Sequence, residues 1–91
     1  MNPKDLYEEK AFLQALGRRD IKAFIRLYKE YGEDVLILAY SILQDAQAAA
    51  RMVDRFFEKL WEEADFASVN PPIYKYLAEE MRTMCENNLF T

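Results

Sequence analysis

Residues 49–61, Ala-Ala-Arg-Met-Val-Asp-Arg-Phe-Phe-Glu-Lys-Leu-Trp, constrain the fold most, because a helical period divides them into one apolar and one charged side. At about 100° per residue, Ala49, Val53, Phe56, Phe57, Leu60 and Trp61 form one broad stripe that has to be buried against other helices. Arg51, Asp54, Arg55, Glu58 and Glu62 form the opposite ridge. Arg51 with Arg55, Asp54 with Glu58 and Glu58 with Glu62 are like-charge neighbours at i,i+4, each mildly destabilising, and only the i,i+3 pairs Arg51 with Asp54 and Arg55 with Glu58 compensate. Such a ridge is either an ordinary solvated helix face or a docking surface for another protein, and spacing leaves both open.

The rest of the chain also reads at a period of 3.6. Two glycines and three prolines are the only strong breakers in 91 residues, which predicts an all-α chain, a compact bundle of four to five helices in a single domain over residues 1–91. The first helix, about 5–16, starts after Asn2 or Asp5, carries Phe12, Leu13 and Leu16, and stops at Gly17. Asp20 caps a second helix, 20–31, with Ile21, Phe24, Ile25, Tyr28 and Tyr31 on one side and Gly32 ending it. A third, 33–43, is apolar almost all round from Val35 to Leu43, with only Ser41 interrupting, and is expected at the centre of the bundle. Asp45 caps the long amphipathic helix, 45–64. After an irregular stretch at 65–70, Asn70-Pro71-Pro72 opens the last helix, 71–89, which takes Ile73, Tyr76, Leu77, Met81, Met84, Cys85 and Leu89 inward. Glu80 interrupts that stripe and is expected at the edge of the bundle, paired, or raised in pKa.

A chain of this length buries only about 60–68% of its unfolded surface, and 52% apolar residues with 13 aromatics supply one core. A lone Cys85 excludes an intramolecular disulfide and a Cys-rich zinc site. The absence of His removes the usual metal ligand and general base. No phosphate-binding glycine loop or nucleophile with a base partner occurs, so neither enzymatic activity nor a cofactor or metal is expected. No apolar run reaches the roughly 18–20 residues of a bilayer span, and the charged N-terminus, with Lys4, Asp5, Glu8 and Glu9, is unlike a signal peptide. A cytoplasmic protein without a membrane partner is expected.

Net charge is −4, which opposes strong binding to phosphate. The distribution is uneven: residues 18–31 carry five positive and two negative groups, net +3, and residues 44–66 three positive and six negative, net −3. Tyr74 and Tyr76, beside Lys75, are candidates for stacking on unpaired bases. Tyr76 also shares the inward stripe with Ile73 and Leu77, and both readings stay open.

The run 45–61, preceded by Ala39-Tyr40-Ser41-Ile42-Leu43-Gln44, resembles the core-binding helix of region 2 in extracytoplasmic-function sigma factors, small bacterial initiation factors of RNA polymerase. Residues 20–32 are similar to the family's opening helix, with its acid, Ala-Phe pair, Leu-Tyr pair and Tyr-Gly turn. Ile73-Tyr-Lys-Tyr-Leu-Ala-Glu-Glu-Met-Arg82 and Cys85-Glu-Asn-Asn-Leu89 resemble the promoter-reading helix in the form common among Bacteroidetes members. The resemblance runs from about Leu13 to Leu89. It implies binding of core RNA polymerase, at the clamp coiled coil of the largest subunit, through Arg51, Asp54, Arg55 and Glu58. It also implies engagement of promoter DNA, single-stranded at the −10 element, through Tyr74, Lys75, Arg82, Thr83 and Asn87 and the loop 66–72, which in the family captures a flipped base.

Position by position the chain departs from that pattern. Arg51 stands where the family has Asp, Asp54 where it has Gln, and Arg55 where it has Glu, so the ridge keeps its polarity while reversing much of its sign. Arg82 and Asn87 match, Thr83 replaces an Asn, and Glu79 and Glu80 put acids on a helix expected near phosphate. The alternative is a sigma-like interaction module that meets an anti-sigma factor or another protein without reading DNA. The chain stops at Thr91 with no helix-turn-helix for a −35 element, as expected either of an excised domain or of a protein lacking that half.

Overall fold

The computed structural model describes residues 3–89, with side chains from Tyr7 to Asn88. Among these residues all regular structure is helical: α1 (Pro3–Gly17), α2 (Ile21–Leu43), α3 (Ala46–Glu63), a short 3-10 turn (Phe66–Ser68) and α4 (Ile73–Leu89). This is the expected all-α bundle, at four helices. Leu89 and the polar side chains proposed to start the first helix, at Asn2 and Asp5, lie outside the described side chains.

The main correction is at Gly32. The second and third predicted helices, 20–31 and 33–43, are one rod that passes straight through the glycine, whose φ is not positive. A glycine in a helix interior costs only about 1 kcal/mol relative to alanine. Packing outweighs that: Leu27 on one side of Gly32 and Val35 and Ala39 on the other are all fully buried. The true breaks are built with αL residues and caps. Arg19 has φ 61° and Gln44 φ 55°. The Asp20 carboxylate accepts from the Lys22 and Ala23 amides at 3.0 and 3.4 Å, and the Asp45 carboxylate accepts from Ala48 at 2.9 Å, each satisfying amides that open a helix.

With Gly32 inside the rod, α2 and α3 form an antiparallel hairpin joined at Gln44 and Asp45. Aromatic rings mark its seam: Phe24 meets Trp61 at 5.0 Å and Phe57 at 6.2 Å, and Tyr28 meets Phe57 at 4.8 Å. Arg19, at the turn before α2, donates to the Ala64 carbonyl at the far end of α3, at 3.0 Å. From α3 the core takes Ala49, Met52, Val53, Phe56, Phe57 and Leu60, the expected stripe with Trp61 at its half-buried margin. From α4 it takes Ile73, Leu77, Met81 and Cys85, all fully buried, and from α1 Phe12, Leu13 and Leu16.

Two further expectations give way. Residues 33–43 are not buried all round, since Leu36, Ile37 and Tyr40 face outward, and the predicted stripe of α2 is half exposed at Ile21, Ile25 and Tyr28. The last helix begins at Ile73 rather than 71. Its opening amide, Ile73 N–H, is taken by the Glu9 carboxylate of α1, so the cap comes from 64 residues away instead of from Asn70. Burial of the Cys85 thiol, with Glu86 adding to the effect, pushes its pKa up and opposes thiolate reactivity.

Candidate functional site

The α3 ridge is built by the hairpin. Because α2 and α4 cover the apolar stripe of α3, the remaining arc, with Arg51, Asp54, Arg55 and Glu58, is exposed in full. None of these four forms an ion pair, and the i,i+3 pairings that spacing allows are not made; the ion pair among the described residues is Arg26 with Glu30 on α2, at 2.7 Å. The ridge therefore presents free charge of both signs. It has two borders. Asp54 faces a depression of about 410 Å³ shared with Tyr28, Gly32 and Leu36 of α2. Arg55 faces a cleft of about 270 Å³ shared with Met52 and with Met84 and Asn87 of α4.

The residues expected to meet DNA do not converge on one point. Tyr74, Lys75, Arg82, Thr83 and Asn87 are all exposed on α4. Lys75 and Arg82, seven residues apart, share one side of the helix, but Glu79 and Glu86 alternate with them there. Thr83 is turned about 100° away, and its hydroxyl donates to the Glu79 carbonyl of its own helix at 3.0 Å. Asn87 belongs with Arg55, so one member of each predicted set shares a single cleft.

The loop before α4 does form a concavity. Asp65, Ser68, Val69, Asn70, Pro71 and Pro72 enclose about 530 Å³ with Lys75, Tyr76 and Glu79 of the helix. The Asp65 carboxylate accepts from the Ser68 hydroxyl at 2.7 Å, which fixes the 3-10 turn under the cleft. Tyr76 is half-buried, edge-on to Phe66 at 6.3 Å, and its phenol is raised in pKa by burial first and by Glu80 and Asp65 next. It is thus both core and cleft wall. Glu80 sits at the edge of the bundle, half-buried beside a small cavity of about 150 Å³ that Lys59 and Met84 also line.

What the sequence reading missed is the α2 border of the ridge. The signal was present: Ile21, Ile25, Tyr28, Gly32 and Leu36 follow steps of four, three, four and four, an unbroken helical row with no proline from 31 to 35. No group of His, Cys, Asp and Glu suited to a metal ion occurs among the described residues, and no helix among them is long and apolar enough to cross a membrane. No protein-family model, curated protein or solved structure matches the chain.

Proposed function

We propose that the bundle acts as a region 2-like domain of an extracytoplasmic-function sigma factor, binding core RNA polymerase through the α3 ridge and engaging the −10 element as the strands part. The work is non-enzymatic and implies a cytoplasmic site of action. The observation that carries the reading is the ridge: Arg51, Asp54, Arg55 and Glu58 are all exposed, unpaired within the chain, and mounted on a helix whose other side buries six side chains in the core. Free, rigidly held charges of both signs suit a polar partner surface, where they fix register and orientation. The concavity at 65–72, bounded by Tyr76 and Lys75, supports a role for the loop in holding an unstacked base.

A second reading has its own support. Glu79 and Glu86 alternate with Lys75 and Arg82 on α4, and Asp65 and Glu79 border the loop cleft, so that surface offers little counterion release. This favours an interaction module that meets an anti-sigma factor or another protein without reading DNA.

Titrating the chain with a −10-like single strand across salt concentrations separates the two. The first reading expects salt-dependent binding that Arg82→Ala weakens, flattening the slope of log K against log salt by about one. Absence of binding at low salt favours the second.

A further inference from the structure

Six of the eight large hydrophobic side chains exposed among the described residues lie on α2: Ile21, Ile25, Tyr28, Leu36, Ile37 and Tyr40. Single exposed hydrophobes are ordinary, but five of these repeat along one helix at 21, 25, 28, 36 and 40, and Gly32 occupies the missing step. From 21 to 40 this face runs about 30 Å. At Gly32 the absent side chain opens the depression of about 410 Å³ against Ala50, Val53 and Asp54 of α3. Three charges rim it, Lys29, Glu33 and Asp54. Lys29 and Glu33 stand at i,i+4, yet neither they nor Asp54 are ion-paired within the chain. The depression is short of one cation.

We infer that this face receives a second copy of the chain, with the two α2 helices antiparallel. About a two-fold axis between residues 30 and 31, Ile25 comes opposite Leu36 of the copy and Ile21 opposite Tyr40. Lys29 comes opposite Gly32. Its aliphatic stem lies across the glycine, where no side chain obstructs it, and its ammonium reaches Glu33 and Asp54 of the copy. The interface is isologous, so both copies supply the same lysine to the same notch. A parallel pairing would set Lys29 against Lys29 and Glu33 against Glu33. An anionic lipid surface would have to accept Glu33 and Asp54 at the centre of its contact, which disfavours it. The inference does not rest on the transcription reading, and its test contains neither polymerase nor DNA.

Sedimentation equilibrium of the purified chain, with circular dichroism to verify folding, tests the pairing. Dimer is expected for the native chain. Ile25→Arg, at an exposed position, abolishes it. Lys29→Glu alone and Glu33→Lys/Asp54→Lys alone each weaken self-association about tenfold or more, because like charges then meet across the axis. Mixing the two variants restores dimer as a heteropair, since every contact again joins opposite signs. A native chain that stays monomeric at all concentrations overturns the inference. So does a dimer indifferent to Ile25→Arg, or a mixture that fails to pair. Binding of a monomer to phosphatidylglycerol vesicles would assign the face to lipid and equally overturn it.

Discussion

The helices α2 and α3 run side by side and are both amphipathic, yet they spend their apolar residues differently. In α3 the stripe from Ala49 to Leu60 goes into the core, and only polar, charged or small residues are left exposed. In α2 the core takes Ala23, Leu27, Val35 and Ala39, whereas Ile21, Ile25, Ile37 and Tyr40 stay exposed. The reason is geometric. Helix α3 meets its neighbours on one broad face, while α2 is gripped by both α3 and α4, with Tyr28 against Phe57 on one side and Tyr31 near Tyr74 on the other. An apolar residue on a helix thus does not by itself mark the core; the crossing of its neighbours decides.

The sharpest way to break this contrast is to truncate one large side chain from each helix. Phe56→Ala, at 1% exposure, should cost about 3–5 kcal/mol in urea unfolding, a large fraction of the total for a chain this size. Ile37→Ala, at 60% exposure on α2, should change it by less than about 0.5 kcal/mol. Similar losses at both sites would remove the contrast.

The junction of the two helices comes next. Arg19→Ala removes the hydrogen bond to the Ala64 carbonyl and should lower stability by about 1 kcal/mol. Hydrogen exchange should then quicken at the C-terminal turn of α3 and not at the middle of α2.

Gly32→Ala tests the continuity of α2 itself. An added Cβ would meet only the Tyr28 ring within the chain, at 3.9 Å, so at dilutions where native and variant chains are both monomeric the variant should be more stable by about 0.5–1 kcal/mol. Had the glycine ended a helix in the left-handed region, the same change would destabilise, and a lowered melting temperature would restore the two-helix reading.

The smallest effect is a pH dependence. Burial, followed by Glu9 and Glu30, raises the Tyr31 phenol above its ordinary value of 10.0. An acid raised in the folded state holds its proton there more tightly than in the unfolded chain. Its contribution is therefore fully present below pH 10 and lost as pH climbs through the folded value. As pH rises above about 10 the urea midpoint should fall, and Tyr31→Phe should flatten that fall; an unchanged slope would mean Tyr31 is not the group responsible.

Much of this fold was legible because its signals are local. Asp20 and Asp45 cap the helices expected of them, and the stripes of α1, α3 and α4 point inward as their periods require. What escaped depended on distant partners. Gly32 reads as a stop until Leu27, Val35 and Ala39 are seen holding one rod across it. Asn70 reads as the cap of α4 until Glu9 arrives from α1. The candidate site divides in the same way: outward Arg51, Asp54, Arg55 and Glu58 follow from spacing alone, and so does the row on α2, whereas which α2 and α4 residues come to border the ridge is set by how the helices cross.

The account rests on α3 giving its apolar side to the fold and its charged side to a partner. Isotope-labelled chain titrated with the clamp coiled coil of core polymerase, followed by amide chemical shifts, tests that division most directly. The account predicts shifts concentrated at Arg51, Asp54, Arg55 and Glu58 while the amides of α1 stay in place. Saturating binding that moves α1 or α4 and leaves those four untouched, or no binding at all, would contradict it.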